Sequence, residues 1–449
     1  MKSCFFALAA LAAISTVPIA AAQSSTLDAK LDQELPSLVS TYKSLHAAPE
    51  LSHHEDKTAA LLANALRGFG YDVTEHVGKY PNPQWQGHGI VAVMKNGAGP
   101  TVLVRADMDA LPVEEQTGLP YASHIHTKND AGADVGVMHA CGHDIHVTTL
   151  IGTAQLLAAL KEQWHGTLVL IGQPSEETID GAKSMLADGL YSRIPKPDYA
   201  LALHDSSELE TGKIAYTPGY ALASSTSVDV TIRGRGAHGS RPEVSKDPIV
   251  LAAEFILAIQ TIVSRENSPF DPAVVTVGSI HGGTKYNIIP DDVHLQLTIR
   301  TYKEEVRQHI LASLERIAKG VALAGGVPED RAPIVKASET EVTPAMYNDP
   351  PLTEREVSAL KHSLGADNVV EKPPVMGSED FGQFGLEGHK IPTFMFMVGA
   401  IDTDRIANSQ KTGVPLPSLH SALFWPVPEP TIRTGVKAMT TAVLELMKK

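Results

Sequence analysis

Between Met138 and His146 the chain reads Met-His-Ala-Cys-Gly-His-Asp-Ile-His, which places His139, Cys141, His143, Asp144 and His146 within eight residues. Imidazole, thiolate and carboxylate all bind divalent metals. Directly afterwards Leu150, Ile151, Ala154, Leu157, Ala158 and Leu160 recur at roughly helical spacing. The segment therefore predicts a donor-rich loop that opens a helix. Any fold built around such a loop has to deliver further donors to it.

The strands predicted on either side can do so. Thr101 to Arg105 runs into Asp107 and Asp109. Gly166 to Gln173 is a continuous apolar run of the buried, parallel kind, and it leads into Glu176 and Glu177. Tyr199 to Leu203 ends in His204 and Asp205. Open α/β sheets bind their ligands at such carboxyl ends. Adjacent carboxylates repel unless a cation or proton intervenes. A metal site can use the pair, one as ligand and one as general base. The fold class this predicts is α/β with a metal centre.

The start, MKSCFFALAALAAISTVPIAAAQSS, reads as a secretory leader over 1–22: Lys2, a short apolar run, then Ala20-Ala21-Ala22 before Gln23. Export to the periplasm or medium is the expectation. Cys4 would leave with the leader, so Cys141 would be the only mature cysteine, and no internal disulfide is possible. A lone thiol in an oxidising compartment is a liability unless buried or bound. No second stretch reads as long and apolar enough to span a bilayer. Lys and Arg total 37 against 51 Asp and Glu, a formal charge of −14 with no basic patch. That balance argues against nucleic acid and anionic membrane as partners.

In chain order, a helix is predicted from Leu27 to Leu45, then a capping box of Ser52 and Glu55 before a helix from Asp56 to Gly68. The catalytic domain is expected in two segments, of which 23–215 is the first. From Tyr216 the pattern becomes strand-helix-strand-strand-helix: Ser227 to Arg233, Pro248 to Ser264, Ala273 to Ile280, His294 to Arg300, Glu304 to Ala324. This predicts an inserted ferredoxin-like α+β domain over 216–328. The second catalytic segment, 329–449, resumes the α/β pattern from Ala332, with a strand from Thr393 to Val398 and a last helix from Thr431 to Met447.

The motifs LHAAPELSHHEDKT (45–58), RADMDALPVEE (105–115), MHACGHDIHVTTLIG (138–152), GQPSEET (172–178), GAHGSRP (236–242), NIIPD (287–291) and GSEDFGQF (377–384) span nearly the whole mature chain. In this order they resemble the M20 family of metal-dependent peptidases and amidohydrolases, in the branch of the aminoacylases, hippurate hydrolases and plant indole-acetyl-amino-acid hydrolases. The resemblance implies two divalent ions, Zn²⁺ or Mn²⁺, held by Cys141, His143, Glu177, His204 and His420. It also implies Glu176 as general base and Asp109 as the aspartate that orients a ligand. Asp107 stands where the wider family has a metal-binding His. In the inserted domain, which serves the family as lid and dimerisation domain, His238 matches a residue that stabilises an oxyanion, often across a homodimer.

The implied substrate is a small N-acyl amino acid or short peptide. Asn287 or Arg300 is placed to bind the free α-carboxylate. Two segments, Tyr80 to His88 and Tyr121 to Met138, are longer than the family pattern and bear on substrate preference. Competing readings are a metallo-carboxypeptidase or dipeptidase of the same family and, from another class, an exported solute-binding protein. No G-x-S-x-G occurs, which disfavours a serine hydrolase. His54-Glu55 is followed by Thr58 rather than His, which excludes an H-E-x-x-H zincin.

Overall fold

The computed structural model describes residues 19–386 and 390–449, with side chains from residue 26. Residues 1–18, most of the expected leader, lie outside the described residues. The larger unit is an eight-stranded mixed sheet. At its centre Gly166–Gln173, Thr101–Asp107 and Tyr199–Glu210 run parallel, with Thr393–Ile401 parallel to the last of these. Alternation along the strands divides the core between two faces. Val102, Val104, Leu168 and Leu170 face the helices Ile19–His46, His143–Ala159 and Pro428–Met447. Leu103, Val169 and Ile171 face a second cluster with Phe381 and Phe384. His143–Ala159 is buried on nearly every side, consistent with its lack of a polar face.

A four-stranded antiparallel sheet in the order Ala273–Gly282, Asp292–Thr301, Ser224–Arg233, Ile334–Thr343 forms the smaller unit, with helices Pro248–Thr261 and Glu304–Ala324 on one side. It has its own core of Val228, Val230, Phe255, Ile259, Leu297, Ile310 and Leu314. The ferredoxin-like order is the one expected, but the division at 328/329 falls too early. Ile334–Thr343 pairs with Ser224–Arg233 and completes the small sheet, as an edge strand whose outward residues are exposed.

Three other expectations need correction. The Ser52–Glu55 capping box does not form. The Glu55 carboxylate takes the amides of His53 and Ser175, and Ser52 Oγ donates to Asp109 Oδ2. His204 lies inside its strand, because pairing with Thr393–Ile401 carries Tyr199–Glu210 well past Leu203. Finally, helix Pro248–Thr261 continues through a π-turn to Glu266 and is, by length and composition, apolar enough to cross a membrane. Its inner face is docked on the small sheet instead, while Ile249, Val250 and Leu257 remain exposed.

One buried group opposes the fold. Glu356, on helix Pro350–Leu364, is fully buried, and among the described residues neither carboxylate oxygen has a hydrogen-bond partner. Burial, with Glu445 nearby, pushes its pKa well above the ordinary 4.5. A folded pKa above the unfolded one gives stability that is complete below pH 4.5 and is lost as pH rises through the folded value. Glu356→Met should therefore raise stability near pH 8 by about 1–3 kcal/mol, the scale of an unpaired buried polar group. The gain should shrink toward pH 5 in thermal melts. A Tm that falls, or a gain independent of pH, would show that the carboxyl is paired.

Candidate metal centre

The centre lies at the carboxyl ends of the central strands. Pairing between Thr101–Asp107 and Tyr199–Glu210 stops at Arg105 and Ala202, which opens a crevice beside His204. The loop before helix His143–Ala159 enters it. Gly142 makes this turn at φ +75°, and a Cβ there would lie 2.3 Å from Asp205 Oδ2, so only glycine fits. Cys141 and His143 are thereby turned toward His204, with Cys141 Sγ 3.5 Å from His204 Nε2. Each imidazole has its tautomer set from behind. His143 Nδ1 donates to the Asp109 carbonyl at 2.8 Å, and His204 Nδ1 to the Asp205 carbonyl at 2.7 Å. Both Nε2 atoms are left for a ligand, the arrangement typical of metal-binding histidines.

Glu176 and Glu177 are held by Asp109 through their backbone. Their amides donate to Asp109 Oδ1 and Oδ2 at 3.1 and 3.0 Å. Asp109 thus orients the acidic pair and, through its carbonyl, His143. Glu176 Oε2 and Glu177 Oε1 come within 4.0 and 3.9 Å of His143 Nε2. His420, at φ +66° with its amide donating to the Ala140 carbonyl, places Nε2 3.5 Å from Glu177 Oε2. Donor atoms of Cys141, His143 and His204 lie within 4.8 Å of one another, as do those of Cys141, Glu177 and His420.

As bare protein this site is electrostatically uncomfortable. Burial raises Glu177 to about 7 despite the pull of His143, and burial with Glu379 and Glu177 holds Glu176 well above the carboxylate range. Burial and Glu177 push the Cys141 thiol up as well. His143 Nε2 and Glu177 Oε1 are buried without a hydrogen-bond partner among the described residues. A divalent ion held there would give both atoms a partner and offset the cost of the neighbouring negative charges. The donor set of one thiolate, three imidazoles and a carboxylate fits Zn²⁺, and the carboxylates admit Mn²⁺.

If Cys141 is a ligand, it should resist alkylation in metal-loaded protein and react once a chelator has removed the ion. Mass spectrometry of labelled protein tests this. Equal labelling in both states would remove Cys141 from the ligand set.

Of the remaining members of the original cluster, His146 and Asp144 are engaged by other side chains, although His146 also lies within reach of Asp107, His143 and His204. His146 Nδ1 donates to Asp107 Oδ1 at 2.5 Å, and Nε2 accepts from the Asp205 amide at 2.9 Å. His139 is buried with neither ring nitrogen partnered, and burial lowers its pKa to about 4, so it packs as a neutral ring. Asp144 bonds His46 Nδ1 at 2.7 Å, while His46 Nε2 reaches Glu115 Oε1 at 3.2 Å. Burial opposes charge on His46, but the bonds to Asp144 and Glu115 outweigh it and raise the pKa to about 9. This imidazolium clamps the start of the metal-site helix to the segment after Asp109.

The expected small-domain residues divide. Arg300 lines a cavity of about 420 Å³ together with Cys141, Glu176, Glu177, His204 and His420. It is steadied by a 2.7 Å bond from Nη1 to Ser378 Oγ. His238 and Asn287 do not line it. His238 is exposed, with Nδ1 accepting from Ser240, and the Asn287 carbonyl accepts the Gly239 amide.

Sequence reasoning also missed Arg105. This fully buried guanidinium bonds Asp107, Glu379, Asp380 and Gln173 beneath the site. The available signal was an arginine inside an apolar strand, in a chain whose GSED motif carries two unassigned acids.

Residues 103–422 match the model of Peptidase family M20/M25/M40. The chain is 37% identical over 342 residues to a hippurate hydrolase of Campylobacter jejuni, covering 76% of this chain and 82% of that one. It is 35% identical over 414 residues to thermostable carboxypeptidase 2 of Saccharolobus solfataricus, covering 92% and 96%. Its fold superposes on the crystal structure of a dinuclear metal binding M20 peptidase from Bacillus subtilis with a TM-score of 0.72, at 26% identity, over 93% of this chain and 99% of the other.

Proposed function

Since the chain belongs to peptidase family M20/M25/M40, whose members are hydrolases of amide bonds, we propose that it cleaves N-acyl amino acids to a carboxylic acid and a free amino acid. The observation that carries this reading is Arg300 in the same cavity as Glu176, Glu177, Cys141, His204 and His420. A guanidinium is suited to a carboxylate, here the α-carboxylate of the leaving amino acid. Two divalent ions in the Cys141, His143, Glu177, His204 and His420 set would supply Lewis acidity to water and to the amide carbonyl. Glu176 takes a proton from the attacking water and returns it to the departing amine. Asp109 holds Glu176 in register through the backbone amide. Ser378 and Thr298 hold Arg300.

The carboxypeptidase relative favours a second reading, in which the acyl group is itself a peptide. A panel of N-acetyl and N-benzoyl amino acids and short peptides, assayed with added Zn²⁺ or Mn²⁺ for amino-acid release, separates the two. Cleavage of peptides alone favours the second. No cleavage with either ion overturns both.

We also propose that the mature protein is exported, which N-terminal sequencing of secreted protein tests, and that it is a homodimer. The edge strand Ala273–Gly282 and the exposed apolar side chains Ile249, Val250, Leu257 and Ile280 support pairing through the small domain. His238 would then serve the partner's site, since it lies outside the cavity of its own chain. Mixing inactive His238→Ala with inactive Glu176→Gln should restore some of the activity through subunit exchange. No recovery, with exchange demonstrated, would mean that each chain uses its own His238 or none.

A further inference from the structure

The acidic pair Glu176–Glu177 sits on a turn flanked by two residues in the left-handed region. Ser175 stands at φ +54° and Ile179 at φ +52°, and neither is glycine. Such residues strain the backbone and persist only where their surroundings hold them. Asp109 accounts for the middle of the turn, through the amides of Glu176 and Glu177. Ser175 has a separate holder.

That holder is Glu55. Its fully buried carboxylate accepts the Ser175 amide on Oε1 at 2.7 Å and the Ser175 hydroxyl at 3.2 Å. Three successive amides, of residues 175, 176 and 177, are thus taken up by two buried carboxylates. Glu55 Oε1 also accepts the His53 amide at 3.2 Å, and His53 is itself left-handed, at φ +68°. One oxygen therefore joins two strained residues that lie 122 positions apart.

Ser175 Oγ completes the joint. It accepts the His53 amide at 2.9 Å and the Tyr80 hydroxyl at 2.9 Å, and gives its own proton to Glu55. At the far end of the turn, Asp180 lies 3.2 Å from His53 Nε2 and accepts the Thr178 hydroxyl at 2.7 Å. Residues 53 and 55 so grip the turn at both ends.

We propose that Glu55 is a positioning residue for Glu176: it holds Ser175 in the left-handed region and thereby aims the carboxylate that follows at the metal site. The proposal rests on the amidohydrolase reading for the role of Glu176 and deepens it. Glu55 does not line the cavity that holds Glu176 and Arg300. What it supplies is an acceptor in a fixed place rather than a charge. Burial and the neighbouring Asp109 hold its carboxyl well above the ordinary 4.5. Glutamine keeps the accepting oxygen and hence the grip, whereas alanine removes it and lets Ser175 relax to negative φ.

The test combines kinetics with amide hydrogen exchange on the full chain. Glu55→Ala, with the parent's metal content, should lower kcat about ten- to hundred-fold, the scale of a misplaced reacting group, and leave KM within two-fold. Glu55→Gln should keep kcat within about three-fold of the parent. Exchange over residues 175–181, where the amides of Ser175, Glu176, Glu177, Ile179 and Gly181 are all bonded, should quicken in the alanine variant and not in the glutamine one.

A Glu55→Ala protein that melts earlier yet keeps kcat and this exchange within two-fold overturns the proposal, because Glu55 is then merely structural. A Glu55→Gln protein as slow as the alanine variant overturns it too. If Glu55→Ala does not fold, Tyr80→Phe decides, since it removes only one bond to Ser175 Oγ. It should quicken the same exchange and lower kcat several-fold, and no change in either overturns the proposal. Exchange needs no substrate, so a parent that cleaves no N-acyl amino acid sinks the amidohydrolase reading while the grip on the turn is still judged.

Discussion

Glu176→Gln should bind metal as the parent does and turn over an N-acyl amino acid roughly 10²–10⁴-fold more slowly, the usual contribution of a positioned acid–base group. The substitution keeps the size of the side chain and the backbone bond to Asp109, because Asp109 holds the residue 176 amide rather than its carboxylate. Only the capacity to carry a proton is lost. Glu177→Gln should behave differently, since its buried and unpartnered Oε1 faces His143 and its Oε2 faces His420. Loss of that anionic donor should lower metal content and activity together. Metal analysis beside steady-state kinetics separates the two variants. If Glu176→Gln stays within a few-fold of the parent, the proton carrier is another group.

The acidic pair and the donor loop it faces were legible because each is a contiguous run of residues. The loop from Met138 to His146, the pair Glu176–Glu177 and the strand Gly166–Gln173 carry their signal in local composition and periodicity. Helices Asp56–Gly68 and Glu304–Ala324 were likewise readable end to end, each being amphipathic with a clear terminus. What could not be read depends on partners distant in sequence. Ser52 and Glu55 have the spacing of a cap, but Asp109 and Ser175 compete for the same side chains and win. Ile334–Thr343 has few buried side chains, so its place at the edge of the small sheet follows from pairing with Ser224–Arg233 rather than from its own pattern. Of five metal-binding residues in the central loop, Cys141 and His143 face the donor cluster with His204, whereas His146 and Asp144 are bonded to Asp107, Asp205 and His46 and His139 packs as a buried neutral ring.

Arg105 is the clearest case of a determinant hidden by distance, and its removal should have the largest effect on stability. Its partners Glu379 and Asp380 lie more than 270 residues away, at |i−j| of 274 and 275, and with Asp107 they surround a guanidinium that has no exposure. Breaking a buried pair by deleting one partner costs about 3–5 kcal/mol, because the other charge stays buried and uncompensated. Here three carboxylates would be left, so Arg105→Met should lose at least that much, read as a lower Tm or denaturant midpoint.

The deficit should also depend on pH. Burial already pushes Asp380 up to about 8 against the pull of Arg105, and loss of the cation raises it further. A group whose folded pKa lies above its unfolded 3.8 contributes stability at low pH and loses it as pH rises through the folded value. Arg105→Met should accordingly melt closer to the parent at pH 6 than at pH 8.5. A variant within a degree or two of the parent at both values would mean that the three acids are neutralised or solvated without the arginine, and that the network beneath the metal site is not held together by its charge.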